Sequence, residues 1–162
     1  MLNTVRWRKL RFGFSMFCIG TASCGDGTPP AIDQIEIFAP GLEISIEHDG
    51  AGQFHQRLEN KKGRFNLGSQ GFAKLRTQTE PYRVSHDAIS ADVVSDYITK
   101  ERHCEGDYIT DQGGITFHWK GQSIDQFYTV DYGCDGALHA ARNRALRGIL
   151  ASMPVPPPAL MP

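Results

Sequence analysis

A chain of 162 residues, 40% apolar and 22% charged, has the length and composition of one globular domain with its own core, and too little length for two. Its 17 basic and 18 acidic side chains nearly cancel, but Arg6, Arg8, Lys9 and Arg11 fall in the first eleven positions; without them 13 basic face 18 acidic groups, about −5. Phosphate backbones are bound through clustered Lys and Arg, so a weakly acidic domain excludes nucleic acid as its partner.

The basic head runs into Phe12–Gly20 (FGFSMFCIG), an apolar stretch of about nine residues, followed by the small residues Gly20-Thr21-Ala22-Ser23. Basic, apolar and small-residue regions in that order predict a secretory signal over residues 1–23. The apolar stretch falls well short of the roughly 20 residues a spanning helix needs. The alternative is that these residues form the first helix of the fold. Thr21-Ala22-Ser23-Cys24 resembles the lipobox of bacterial lipoproteins, whose cysteine is acylated; Ala22, Ser23 and Cys24 match that pattern, and Thr21 stands where Leu is usual. The resemblance implies that Cys24 carries a lipid and holds the chain at a membrane. Cleavage by the ordinary signal peptidase would instead release a soluble periplasmic or secreted protein. Residues 24–33, polar and rich in Gly and Pro, suit a flexible tether.

Past the tether, Ile35–Phe38 predicts a strand stopped by Ala39-Pro40-Gly41, and Leu42–His48 alternates strictly between apolar and polar, as in a strand with one wet side. Asp49-Gly50-Ala51-Gly52 supplies a hairpin loop, and a returning strand covers Gln53 to about Leu58. A turn at Lys61-Lys62-Gly63 precedes a short strand over Arg64–Leu67. Ser69–Thr79 carries Phe72 and Leu75 at helical spacing, with Ser69 as N-cap and Pro81 as its stop. Ser90–Lys100 is ambiguous between helix and strand and is assigned to helix. Ile115–Trp119 and Ile124–Tyr132 form a second hairpin about Lys120-Gly121. Asp135 caps a helix from Gly136 to about Met153, its apolar side Leu138, Ala141, Ala145, Leu146, Ile149 and Leu150, its polar side Arg142, Asn143, Arg144 and Arg147. Pro154 stops it, and residues 154–162 make an exposed Pro-rich tail.

The predicted fold is therefore α+β, an antiparallel sheet built from hairpins with two or three helices packed on one face, occupying residues 34–153. Several features together, Asp49-Gly50, Phe72 and Leu75 running into Pro81-Tyr82-Arg83, Thr110-Asp111 before Gly113-Gly114 and the Trp119 strand, and Tyr132-Gly133-Cys134 before the last helix, resemble an uncharacterised family of small exported domains in bacterial envelope lipoproteins. The resemblance spans about residues 33–153. It implies a compact exported α+β domain and assigns neither reaction nor ligand.

With Cys18 in the signal and Cys24 at the lipid site, Cys104 and Cys134 remain, and an oxidising compartment favours pairing them. A metal site or free thiols are the alternatives, but neither cysteine belongs to a C-x-x-C motif. His48, His55, His86, His103, His118 and His139 lack metal-ligand spacing, and His118, between Phe117 and Trp119, is expected to face solvent. Asp107 and Asp111 lack the ladder of a calcium loop. No catalytic, cofactor-binding or metal-ligating residue is assigned. The leading expectation is a non-enzymatic envelope module that binds a protein or envelope component. The alternatives are a small secreted inhibitor of a hydrolase, presenting Asp87–Ser95, and a hydrolytic enzyme.

Overall fold

The computed structural model describes residues 31–90, 104 and 106–157. The predicted signal, Cys24, His103, the Ser90–Lys100 helix beyond Ser90 itself and the tail beyond residue 157 lie outside the described residues.

Among the described residues seven strands form one sheet: β1 (Gln34–Ala39), β2 (Leu42–Glu47), β3 (Ala51–Gln56), β4 (Lys61–Asn66), β5 (Ile89–Ser90), β6 (Gly114–Gly121) and β7 (Ile124–Asp131), with helices α1 (Gly68–Arg83) and α2 (Ala140–Ala151). The spatial order is β4-β3-β2-β1-β6-β7-β5, and every pairing is antiparallel. The fold is α+β, as the hairpin pattern predicts. The alternation of Leu42, Ile44 and Ile46 places them opposite Ala39, Ile37 and Ile35, and β1 in turn pairs Ile37 with Phe117 and Ile35 with Trp119. One face thereby collects the side chains that form the core, while Glu36, Glu43, Ser45 and His118 point to the other. On the apolar face, α1 buries Phe72, Leu75 and Thr79; the Trp119 indole N–H donates to Thr79 Oγ1 (3.1 Å), and the Tyr82 ring lies 6.4 Å from Phe117 and 5.2 Å from Tyr128. Leu146 and Ile149 of α2 join the same core.

Several boundaries differ from the sequence expectation, each for a local reason. Helix α1 continues through Pro81 to Arg83, because a proline in the last turn removes only one intrahelical bond, and Tyr82 and Arg83 are both anchored on β-strand side chains. Its start is satisfied by Asn66, whose Oδ1 accepts from the Gly68 N–H (2.6 Å), not by Ser69. The loop before β4 turns at Arg57–Asn60, where Asn60 has φ 47°, so Lys61 and Lys62 already belong to the strand. The second hairpin turns at Gln122-Ser123, with Gly121 opposite Ile124, so Lys120 and Gly121 lie within β6.

Helix α2 begins at Ala140, four residues later than expected. Residues 133–135 are tied to residues 107–109 by backbone bonds: the Ile109 N–H donates to Gly133 O (3.0 Å) and the Asp135 N–H to Asp107 O (2.9 Å). Asp135 itself has φ 49° and is a turn residue rather than a helix cap. Leu138 consequently sits outside the helix and is 75% exposed, whereas Asn143, assigned to the polar side, is buried at 6%. Ala141 and Ala145 are exposed as well.

The domain also extends past both expected ends. Ile32 belongs to the core, and the Asp33 N–H donates to Lys120 O (2.8 Å). Residues 154–157 are docked rather than free. Val155 packs on the core, and buried Gln56 donates from Nε2 to the carbonyls of Pro156 (2.8 Å) and Pro157 (3.0 Å). Prolines carry carbonyls without N–H groups, so a Pro-rich run offers surplus acceptors to a buried amide.

Candidate binding face

The polar face of the sheet carries side chains in rows that the strand registers fix. One row runs across all seven strands: Arg64, Gln53, Ser45, Glu36, His118, Phe127 and Ile89. Beside it run Lys62, His55, Glu43, Phe38, Thr116 and Thr129. Over β1–β4 these rows form a groove of about 610 Å³, lined by Glu36, Phe38, Glu43, Ser45, Gln53, His55, Lys62 and Arg64. That volume lies within the range of small-ligand sites.

His118 sits at the centre of this face. It lies on the opposite side of β6 from Phe117 and Trp119, as alternation requires, but it is buried (8% exposed) and does not face solvent. Its ring stacks on Phe127 at 3.7 Å between centroids, and each nitrogen meets a carboxylate: Nδ1 to Glu36 Oε2 at 2.8 Å and Nε2 to Asp125 Oδ1 at 2.6 Å. Lys120 Nζ lies 2.8 Å from the other Glu36 oxygen. With a carboxylate at each ring nitrogen, the cluster works as a clamp joining β1, β6 and β7.

Glu43, the second carboxylate of the groove, is engaged by Arg57, whose Nε donates to Oε1 (2.8 Å) and whose Nη2 contacts the same oxygen, and His55 Nδ1 lies 3.5 Å from Oε2. The Arg57 hydrogen bond holds the Glu43 carboxyl below the ordinary glutamate value, against the opposing effect of burial. Both acids of the groove are thus neutralised within the protein. Lys62 and Arg64, on β4, have no ion-pair partner among the described residues, so the charge the groove leaves uncompensated is positive.

The other sequence candidates do not converge. His48 and His86 are exposed, Asp107 and Asp111 are exposed loop residues, and Asp111 has φ 62°. No group of three or more His, Cys, Asp or Glu side chains placed to hold a metal ion occurs among the described residues. Cys104 and Cys134 form a disulfide with Cα atoms 5.3 Å apart, beside the bridge between Tyr108 and Cys134. Of the Asp87–Ser95 stretch, Ile89 and Ser90 pair with Phe127 and Gln126 at the sheet edge, and residues 91–95 lie outside the described residues. The missed groups, Glu36 and Asp125, carry one available signal: alternation puts each on the polar side of its predicted strand, alongside His118.

The chain matches no family model, no curated protein and no solved structure.

Proposed function

We propose that this protein is an exported, non-enzymatic binding module of a bacterial cell envelope, tethered to a membrane by a lipid on Cys24 and engaging a protein or envelope component through the polar face of its sheet. The observation that carries this reading is the groove over β1–β4, in which Glu36 and Glu43 are held by their own counter-charges, with His118 beside Glu36 on the neighbouring strand β6. Its acids are held in ion pairs, and the surface presents two cations without ion-pair partners among the described residues, together with amides and an aromatic ring for recognition. The Cys104–Cys134 disulfide supports maturation in an oxidising compartment. Among the described residues no helix is long and apolar enough to cross a membrane, and in this reading the attachment comes from the acyl chain.

Photo-crosslinking in a bacterial host expressing the full chain tests the module. A photoreactive residue at Ser45 or Gln53, on the polar face, is expected to give defined adducts, and one at Lys74, exposed on α1, none. Adducts equally frequent from Lys74, or none from the polar face, would overturn the reading. For the anchor, Cys24→Ala is expected to move the protein from the membrane to the soluble fraction. A protein already soluble before that change refutes tethering.

A further inference from the structure

Strand β4 ends the sheet, and among the described residues no strand pairs with its outer edge. An edge of this kind is a template for another strand, and its sequence decides which strand it admits. Lys62 and Arg64 stand two residues apart on the same side of β4, opposite His55 and Gln53, so their Cα atoms are about 6–7 Å apart along the strand. Both are exposed and lack ion-pair partners among the described residues. Gly63 and the half-buried Phe65 face the other side.

We propose that the outer edge of β4 binds an extended acidic segment of a partner protein, added as an eighth strand, with carboxylates at alternate positions opposite Lys62 and Arg64. The inference deepens, and rests on, the reading of the polar face as a recognition surface. The spacing is the core of the argument: a strand laid antiparallel or parallel to β4 presents its own same-face side chains at the same two-residue interval, so two acids separated by one residue meet both cations at once. The intervening residue faces the side of Gly63 and Phe65. The same cations disfavour a second copy of this chain, because pairing β4 with itself in register brings Lys62 and Arg64 against like charges. The groove behind them adds no competing negative field, since Glu36 and Glu43 are both neutralised.

The test uses the full exported chain, purified with its disulfide intact, and a fluorescent eight-residue peptide of Thr and Val carrying two Glu at alternate positions. Binding is followed by anisotropy and by amide hydrogen exchange. The expected result is saturable binding that weakens at least fivefold with Lys62→Gln or Arg64→Gln, weakens with salt, and protects the amides of β4. The double change Lys62→Glu with Arg64→Glu is expected to transfer preference to the peptide with Lys at the two Glu positions; circular dichroism confirms that each variant is folded. Equal binding of the Gln version of the peptide, protection away from β4, no binding, or full competition by inorganic phosphate or anionic vesicles would overturn the proposal. Crosslinks from Ser45 and Gln53 that persist in the Lys62→Gln and Arg64→Gln variants without peptide binding refute the acidic strand and leave the module reading intact. Loss of all polar-face crosslinks in the unaltered chain refutes the module itself.

Discussion

Thr79 is fully buried, and its hydroxyl accepts the Trp119 indole N–H while donating to Arg76 O (3.2 Å). Replacing it with valine keeps the shape but strands a buried donor, which costs about 1–3 kcal/mol. Thr79→Val is expected to lower the denaturant midpoint accordingly, and Thr79→Ser to recover most of the loss; equal effects of the two changes would refute the hydrogen bond as the cause. Glu43 behaves differently because it titrates. The Arg57 hydrogen bond sets its carboxyl below 4.5, so the folded chain releases this proton more readily than the unfolded one. The stabilisation is complete above that ordinary value and fades as pH falls below it. Denaturation curves between roughly pH 5 and pH 3 are therefore expected to show a shallower acid loss in Arg57→Gln than in the unaltered chain. The Glu36–His118–Asp125 clamp was only half legible at this scale. His118 and Asp125 lie on one predicted hairpin, but Glu36 is 82 positions from His118, and no local pattern brings β1 against β6.

Among the elements, the β3–β4 hairpin shows how packing overrides composition. Gly52 lies under the Phe65 ring and Gly63 under the Phe54 ring, and a Cβ on Gly63 would stand 2.4 Å from the Phe54 Cε1. Each aromatic ring covers a cross-strand glycine whose missing side chain would otherwise leave the strand thinly packed. Gly63→Ala is therefore expected to destabilise by about 1–3 kcal/mol through overpacking, although alanine favours order in a less crowded strand. A double-mutant cycle with Phe54→Ala checks the cause: the two losses should fail to add. Gly50 is constrained by both conformation and space, with φ 89° and a Cβ position 2.3 Å from Gly68 O, which the Asp49-Gly50 turn signal anticipates. The limits of α1 and α2 were less legible, because they depend on what their ends touch. Arg83 reaches Gln126 on β7, and the pairing of residues 107–109 with 133–135 delays α2.

For the molecule as a whole, the disulfide is the largest single covalent constraint. It closes a separation of 30 residues, which the chain-entropy model places at about 3–4 kcal/mol. Replacing both cysteines by serine, or reducing the native protein, is expected to lower stability by that amount with the far-ultraviolet spectrum retained at low temperature. A loss below about 1 kcal/mol would show that the backbone pairing around Cys134 already holds this region without the covalent link.

The sequence by itself determined the fold class and the hairpins, because strict alternation and turn residues are local properties, whereas the pairing of Cys104 with Cys134 was an expectation until the structure joined them. It also put Glu36, Glu43 and His118 on the polar side of their strands. Only the tertiary structure decided that β1 lies between β2 and β6, that His118 is buried between two carboxylates, and that Lys62 and Arg64 stand at a sheet edge without ion-pair partners among the described residues. Those facts depend on long-range registers. Strand alternation fixes which side of a sheet a residue takes, while its neighbours across the sheet are set by the packing of the whole core.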